Sequence, residues 1–316
     1  MARQAVRYAV IDAFADTPFK GNPAAVCLLD GEDAEGGVDD QWMLSVAKEF
    51  NIPMTSFLTR ASPSTADGSA ANPRFHLRWF TPVAEVKLCG HGTLAAAHFL
   101  LTSGLVECDV IEFITESGLL TAKKAHGLQH QGAPNISFNG TVEKYSIELD
   151  FPVVPVVGYE SAEFPSIPET LNGVSIINVL KTTADDLIVE LASGKEVADL
   201  QPNFAELEKC AGRGVIFTGL APAGSGFDFF TRFFCPKDGV NEDPVCGSAH
   251  CALAPYWSKK LGKQSLVAYM ASSRSGILDL QLEEKTQRVR IKGEAVTVMV
   301  GTILAWNQPS NVSIDL

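Results

Sequence analysis

Two stretches of this 316-residue chain resemble each other, and each contains a cysteine followed by a glycine. The first is RWFTPVAEVKLCGHGTLAAA (78–97), and the second is RFFCPKDGVNEDPVCGSAHCALA (232–254). Each opens with arginine, an aromatic residue and phenylalanine, and each ends in an alanine-rich run typical of a buried helix. Two copies almost half a chain apart predict two similar domains and not a solenoid. We therefore expect Cys89 and Cys246 to occupy equivalent places, each at the start of a central helix.

A thiol at a helix start has a distinctive chemistry. Unpaired backbone N–H groups and the positive end of the helix dipole stabilise a thiolate, so the sequence predicts a lowered pKa for both thiols. Two such groups on opposite sides of a substrate carbon can act as base and acid. One removes a proton from one face, and the other returns a proton to the opposite face. This is the chemistry of a racemase or an epimerase that needs no cofactor.

The residues beside the two cysteines predict a site for a carboxylate, because helix starts bind anions through their N–H groups. We expect the donors to come from Gly90, His91, Gly92, Gly247 and Ser248. His91 titrates near neutrality, so it could also transfer a proton. Asp243 could accept helix N–H groups, or it could hold a substrate ammonium group.

One motif in the same region is typical of a different class of protein, the dinucleotide-binding enzymes. Residues 90–95 (GHGTLA) fit the dinucleotide fingerprint G-x-G-x-x-A, and Glu112 follows at a suitable distance. A similar segment, GSAHCA (247–252), lies in the second half, and a single nucleotide-binding unit does not explain two such segments. The sequence has no phosphate-binding loop, no serine-hydrolase elbow and no zinc-ligand spacing. We expect neither a cofactor nor a metal.

Composition narrows the class of protein. The formal net charge is −12, which argues against binding to nucleic acid or to an anionic membrane surface. No apolar run reaches the length of a membrane span, and the first residues are typical of a strand and not of a signal peptide. Seven scattered cysteines without a C-x-x-C pair indicate reduced thiols. We therefore expect a cytoplasmic protein.

The elements that must position these residues predict an α+β fold. Apolar spacing predicts helices at 41–50, 89–104, 203–211 and 247–262. Period-two segments predict strands at 6–12, 24–30, 55–60, 75–80, 145–150, 174–180, 214–218, 228–234, 265–271, 276–282, 286–292 and 295–305, with a hairpin in 110–124. We expect two pseudo-symmetric domains, 1–128 and 129–304, with a final strand at about 305–316 returning to the first domain.

Five segments resemble the PhzF-like (phenazine biosynthesis-like) isomerase family. They are FADTPFKGNPAAV (14–26), AKEFNIPMTSFL (47–58), SGLLTA (117–122) and the two repeat copies. The family is similar in fold to diaminopimelate epimerase and proline racemase. The resemblance implies two domains of the same topology, each a curled antiparallel sheet around a central helix. It also implies a site in the cleft between them and a homodimer.

The resemblance implies site roles for His91, Asp243 and Ser248. The chain departs from the family at two positions. The family's glutamate falls on Met54, which cannot transfer a proton and makes the pocket more apolar there. Cys246 stands where the family usually has threonine, which restores the two-cysteine arrangement of the epimerase relatives.

These observations leave three hypotheses. The first is a racemase or epimerase of amino acids with Cys89 and Cys246 as opposed acid and base. The second is a PhzF-type isomerase of another small carboxylic acid that uses His91 and Asp243. The third is a non-catalytic protein that binds a small acid. In each case the expected partner is a small carboxylate or amino acid, not nucleic acid or membrane.

Overall fold

The computed structural model describes residues 3–29, 39–62, 72–126, 135–136, 142–143, 145–158 and 174–306. Strands predominate in this part of the chain. Its helices are α1 Asp40–Phe50, α2 Gly90–Thr102, α3 Gly194–Asp199, α4 Phe204–Leu207 and α5 His250–Leu261, with a 3₁₀ turn at Pro236–Asp238. The predicted helix at 203–211 shortens to the four residues of α4, and α3 was not predicted.

Most strands of the first half begin close to the predicted positions, whereas the short strands Glu85–Val86, Asn135–Ile136 and Val142–Glu143 were not predicted. The strands of this half are β1 Arg3–Ala13, β2 Asn22–Leu29, β3 Met54–Arg60, β4 Arg74–Phe80, β5 Glu85–Val86, β6 Val110–Thr115, β7 Gly118–His126, β8 Asn135–Ile136, β9 Val142–Glu143 and β10 Tyr145–Pro152. The hairpin predicted in 110–124 is confirmed as β6 and β7, which pair antiparallel.

The second half adds ten strands. They are β11 Val156–Gly158, β12 Ile176–Thr182, β13 Asp186–Leu191, β14 Gly214–Leu220, β15 Phe229–Cys235, β16 Val240–Asp243, β17 Ser265–Met270, β18 Gly276–Glu283, β19 Arg288–Gly293 and β20 Ala295–Trp306. Strand β13 was missed in the sequence, because its apolar run DLIVEL is buried on both faces and does not alternate.

The expectation of purely antiparallel sheets is wrong, because the sheet is mixed. Strands β2 and β3 pair parallel, as do β4 and β6, β13 and β14, and β15 and β17. The remaining pairings are antiparallel. The physical reason is connectivity: a helix follows the first strand of each parallel pair, and parallel neighbours need such a crossover.

The pairings follow the same order in both halves. From β2 the series runs parallel to β3, antiparallel to β4, parallel to β6 and antiparallel to β7. From β13 it runs parallel to β14, antiparallel to β15, parallel to β17 and antiparallel to β18. Strands β7, β10, β19 and β18 join the two series into one continuous sheet.

The end of the chain lies beside its beginning. Strand β20 pairs antiparallel with β1, from Ala295 opposite Ala13 to Trp306 opposite Arg3. Residues 307–316 of the predicted final strand lie outside the described residues.

Helix α2 lies inside the first half of the sheet. It contacts β1, β2, β3, β7, β10 and β20, and almost every one of its residues is buried. A helix that is apolar on all faces needs such an enclosed position. Helix α5 packs against β17, β18 and β19 in the second half.

Two further features bear on the class of protein. Within the described residues, no helix has the length and apolar character needed to cross a membrane. All seven cysteines are free thiols, and six of them are buried.

Candidate active site

The two helix starts meet backbone to backbone. A Cβ atom placed on Gly90 would lie 3.2 Å from Gly247 Cα, and one placed on Gly247 would lie 3.4 Å from Gly90 Cα. A side chain at Gly90 would therefore press on the backbone of Gly247, whereas one at Gly247 would be in ordinary van der Waals contact. The contact brings together the two Cys-Gly segments that the repeat singled out.

Cys89 caps helix α2. Its backbone is extended, with φ −143° and ψ 111°, and the Gly92 amide donates to its Sγ over 3.3 Å. The His91 ring lies against the same sulfur, with Nδ1 3.4 Å from Sγ. The amide of Gly92 is thus occupied by the thiol and does not point freely at a ligand.

Cys246 precedes α5 in a similar way, but its helix begins with a tighter turn. The His250 amide donates to Gly247 O and the Cys251 amide to Ser248 O, both over 3.1 Å. Regular helix therefore starts at His250 and not at the predicted residue 247. Cys246 Sγ lies 3.3 Å from Ser248 Oγ.

Asp243 lies close enough to both thiols for its negative charge to act on them. This charge raises the pKa of Cys89 as well as that of Cys246. Burial raises the pKa of Asp243 to about 6, although hydrogen bonds from Cys246, the Val245 amide and Asn22 and the charge of Arg213 oppose the rise. Asp243 is therefore a carboxylate poised to exchange a proton near neutral pH.

Asn22 ties Asp243 to the opposite half of the molecule. Its Nδ2 donates to Asp243 Oδ1 over 2.6 Å and to Val245 O over 3.0 Å, and the residue is fully buried. Both amide hydrogens are used, which fixes the orientation of the side chain. Its Oδ1 has no hydrogen-bond partner among the described residues.

The expectation of lowered thiol pKa values is wrong. Burial raises the pKa of Cys89 despite hydrogen bonds from the Gly92 and His91 amides. Burial and the Asp243 carboxylate raise the pKa of Cys246, against the Ser248 hydroxyl, the Ala249 amide and the charge of Arg213. The loss of hydration at two nearly inaccessible sulfurs outweighs the donors of the helix start.

The expectation that His91 titrates near neutrality is also wrong. The side chain is buried, and burial lowers the pKa of His91 to about 3. The ring is neutral at physiological pH. It can donate its N–H to a ligand or accept a hydrogen bond at its other nitrogen, but it carries no positive charge.

Met54 begins β3, and it is buried in the same apolar cluster as Cys89 and Cys246. Two residues later, the Ser56 hydroxyl donates to Gly92 O over 3.2 Å. Strand β3 therefore reaches the start of α2, and Met54 lies two residues before this contact, on the same face of the strand.

A cavity of about 430 Å³ opens beside the second helix start. Its lining includes Ser248 together with an ion pair, in which Arg213 holds both carboxylate oxygens of Asp186. Sequence reasoning missed this pair and Asn22. Asn22 lies in the family-like segment 14–26, and alignment of the two halves beyond the cysteines could have indicated Arg213.

No group of three or more His, Cys, Asp and Glu side chains in the described ranges is arranged to hold a metal ion. What the site offers is two thiols, a neutral imidazole, a carboxylate and helix-start amides.

Thiols, an imidazole and a carboxylate are groups that can transfer protons. The family model described as phenazine biosynthesis-like protein (PhzC-PhzF) matches residues 11–301. An uncharacterized isomerase of Halalkalibacterium halodurans is 39% identical over 297 residues, which cover 93% of this chain and 97% of that protein. The chain belongs to the phenazine biosynthesis-like family, which confirms the resemblance found in the sequence.

Solved structures agree with this assignment. A PhzF-family protein from Enterococcus faecalis has a TM-score of 0.76 at 33% identity, with 95% of this chain and 99% of that chain covered. A predicted epimerase from Pseudomonas aeruginosa has a TM-score of 0.68 at 20% identity and covers 95% of this chain and 100% of its own. The second likeness concerns the fold alone.

Proposed function

We propose that this protein is a cofactor-independent racemase or epimerase acting at the α-carbon of an amino acid or related small carboxylic acid. The proposal rests on the backbone contact of Gly90 with Gly247, which makes the helix starts after Cys89 and Cys246 converge. Each thiol also has a polar neighbour: the neutral His91 ring beside Cys89, and the Asp243 carboxylate near Cys246.

The proposed reaction begins with the substrate carboxylate at the two helix starts, near the Ser248 hydroxyl. Cys246 takes the α-proton while its own proton passes to Asp243, and the electron pair of the broken C–H bond stays on the substrate as an enediolate. Cys89 then gives its proton to the opposite face and forms the new C–H bond. This turnover leaves Asp243 protonated and Cys89 as a thiolate, and transfer of the Asp243 proton to Cys89 restores the starting state. Before that transfer the Cys89 thiolate can deprotonate the other enantiomer, after which Cys246 gives its proton to the substrate and regains one from Asp243.

Binding of an ammonium group is supported by two acceptors. Asp243 is ionised above pH about 6, and Asn22 Oδ1 is buried without a donor in the described part of the chain. A buried unpaired acceptor costs free energy that a bound donor would recover.

We also propose that the two halves are domains related by a pseudo-twofold axis. The repeated order of strand pairings supports this, and so do two equivalent ion pairs, Arg78 with Glu85 and Arg232 with Glu242. Each glutamate lies four residues before the cysteine of its half. Such symmetry would present equivalent thiols to opposite faces of one carbon.

A second candidate is a PhzF-type isomerase in which Asp243 removes the proton directly and His91 assists. The raised pKa values of both thiols favour it, since Asp243 is the group that is charged near neutral pH. Here the cysteines would only shape the site, and the product would be a double-bond isomer and not an enantiomer.

The test is incubation with a panel of L-amino acids in D₂O, followed by proton NMR and chiral chromatography. Deuterium at the α-carbon together with the D-enantiomer supports the racemase. Ligand binding without any exchange supports the non-catalytic alternative and contradicts the proposal.

Variants separate the two catalytic candidates. Cys89→Ser and Cys246→Ser should nearly abolish racemisation, whereas Cys108→Ser, away from the site, should leave it unchanged. Met54→Glu should lower turnover of apolar amino acids by about tenfold, equivalent to about 1.4 kcal/mol. If both site variants keep normal turnover while Asp243→Asn is inactive, Asp243 and His91 are the better assignment.

A further inference from the structure

The cavity beside Ser248 is charged on one side. Among the described residues that line it, Arg213 and Lys87 are cationic and Asp186 is the acidic one. Both Asp186 oxygens accept from Arg213, at 3.0 Å from Nε and 2.9 Å from Nη2. The carboxylate is thus occupied, while Arg213 Nη1 lies 3.8 Å from Asp238 Oδ2, beyond hydrogen-bond length. Lys87 is paired with Glu116 over 2.9 Å, so Arg213 Nη1 is the donor that an anion in this cavity would take up.

Arg213 also lies close to the reacting groups. Its positive charge lowers the pKa of Asp243 and of Cys246, and its guanidinium carbon is 5.5 Å from the Phe233 ring centroid. The ion pair with Asp186 and the contact with Phe233 hold the guanidinium in the lining of the cavity.

The first half offers no such charge at the equivalent place. Phe80 and Phe234 are equivalent residues of the repeat, and they pair with Thr55 in β3 and with Val215 in β14. Thr55 and Val215 are therefore equivalent, and so are the residues two positions before them, Pro53 and Arg213. The position equivalent to Arg213 is therefore occupied by an uncharged residue in the first half.

We propose that the substrate has a second carboxylate, which Arg213 binds in this cavity. This inference rests on the proposed function and names its substrate class: a dicarboxylic amino acid or a related dicarboxylic acid. Because Nε and Nη2 are bound to Asp186, the second carboxylate would accept a charge-assisted hydrogen bond from Nη1. Leu88, Ile216 and Ala252 line the same cavity and would cover a short methylene chain.

Binding can be measured without any reaction. Glutarate and pentanoate have the same chain length and differ by one carboxylate, so calorimetric titration with each isolates the second anionic group. We expect wild-type protein to bind glutarate at least about tenfold more tightly, as one charge-assisted contact allows. Equal affinity for the two acids would overturn the inference.

A double substitution identifies the residue responsible. Arg213→Gln with Asp186→Asn removes both charges of the pair and should abolish the preference while retaining pentanoate binding. The matched control, Lys195→Gln with Asp199→Asn, removes an exposed ion pair and should retain the preference. Arg213→Lys keeps a charge beside Asp186 and should bind glutarate with intermediate affinity. Retention of the full preference in the Arg213→Gln/Asp186→Asn protein would contradict the assignment.

The exchange experiment distinguishes this failure from failure of the proposed function. L-Glutamate should exchange its α-hydrogen faster than L-norleucine in D₂O. Glutarate binding that depends on Arg213 without exchange of any amino acid would leave the anion site standing and sink the racemase. Exchange of norleucine at the same rate as glutamate would support the racemase and contradict the inference of a second carboxylate.

Discussion

At the scale of single residues, the acid–base behaviour of the site depends on Asp243. Its carboxylate lies beside both thiols, and burial raises its pKa to about 6. The hydrogen bond from Asn22 is 2.6 Å long and favours the ionised form. Asn22 therefore tunes the group that provides the base.

The first prediction concerns the pH dependence of exchange. Asp243 must be ionised to accept a proton, so kcat/KM should fall as the pH drops below about 6. Asn22→Asp places a second carboxylate against the first, and the shared proton should move this limb upward by more than about one pH unit. Rate profiles from pH 4.5 to 9 measure the shift.

Asn203→Asp is the control for this substitution. Asn203 caps α4 at an exposed position, and aspartate caps helices equally well. Its profile should match that of the wild type. A profile of Asn22→Asp that also matches the wild type would exclude Asn22 as a positioning residue for Asp243.

At the scale of elements, equivalent ion pairs have different surroundings. Arg232 and Glu242 are 10% and 19% exposed, whereas Arg78 and Glu85 are 37% and 33% exposed. Arg232 also donates to Leu200 O over 2.6 Å. One pair is thus largely desolvated and the other is not.

The second prediction compares the two arginines. Arg232→Met leaves Glu242 buried without its partner, and it should lower the free energy of unfolding by about 3 kcal/mol. Arg78→Met removes a more exposed pair and should cost about 1 kcal/mol or less. Urea denaturation of both variants measures the difference. Equal losses would show that the burial of the pair does not set its contribution.

The third prediction concerns the contact between helix starts. Gly90→Ala places a methyl group 3.2 Å from Gly247 Cα, and backbone cannot move aside as a side chain can. We expect a loss of about 1–3 kcal/mol in stability together with reduced exchange activity. Gly158→Ala is the matched control, since nothing lies within 4 Å of its added methyl group. Normal activity in Gly90→Ala would contradict a site formed by this contact.

At the scale of the whole molecule, hydrogen bonds from Arg274 to Asp12 and Gly21, which we call the clamp, join the two halves. Arg274 donates through Nη2 to Asp12 Oδ1 over 2.7 Å and through Nε to Gly21 O over 2.8 Å. Asp12 is 2% exposed. The Gly21 amide also donates to Ser275 O, so the loop after β1 is fastened to the loop before β18.

The fourth prediction follows from the direction in which burial and Arg274 shift the pKa of Asp12. Burial raises the pKa of Asp12, while the Phe19 amide and Arg274 lower it. Arg274→Met should raise it further, so the variant should lose about 3 kcal/mol at pH 7, where the carboxylate is charged and unpaired. Below the new pKa the protonated carboxyl needs no partner, and the loss should shrink.

Urea unfolding at pH 7 and at pH 4.5 measures this change. Arg288→Met is the control, because its partner Asp150 is 39% exposed, and the loss should be small at both pH values. A loss in Arg274→Met that is the same at both pH values would show that Asp12 does not respond to the clamp.

The sequence by itself determined the local features of this protein. Capping and alanine-rich composition placed helices after Cys89 and Cys246, and the repeat paired them, because helix starts depend on a few neighbouring residues. The family segments identified the class of protein. Alternation found most strands but missed β13, since a strand buried on both faces loses its period of two.

Only the tertiary structure decided the chemistry of the site. A helix start favours a thiolate, yet the pKa of each thiol rises, because desolvation depends on everything that packs around the sulfur. Asn22 reaches Asp243 across 221 residues of sequence. Arg213 and Asp186 likewise meet through the folding of separate strands. No local pattern encodes such contacts, because they form only when segments that are distant in the sequence pack together and exclude water between them.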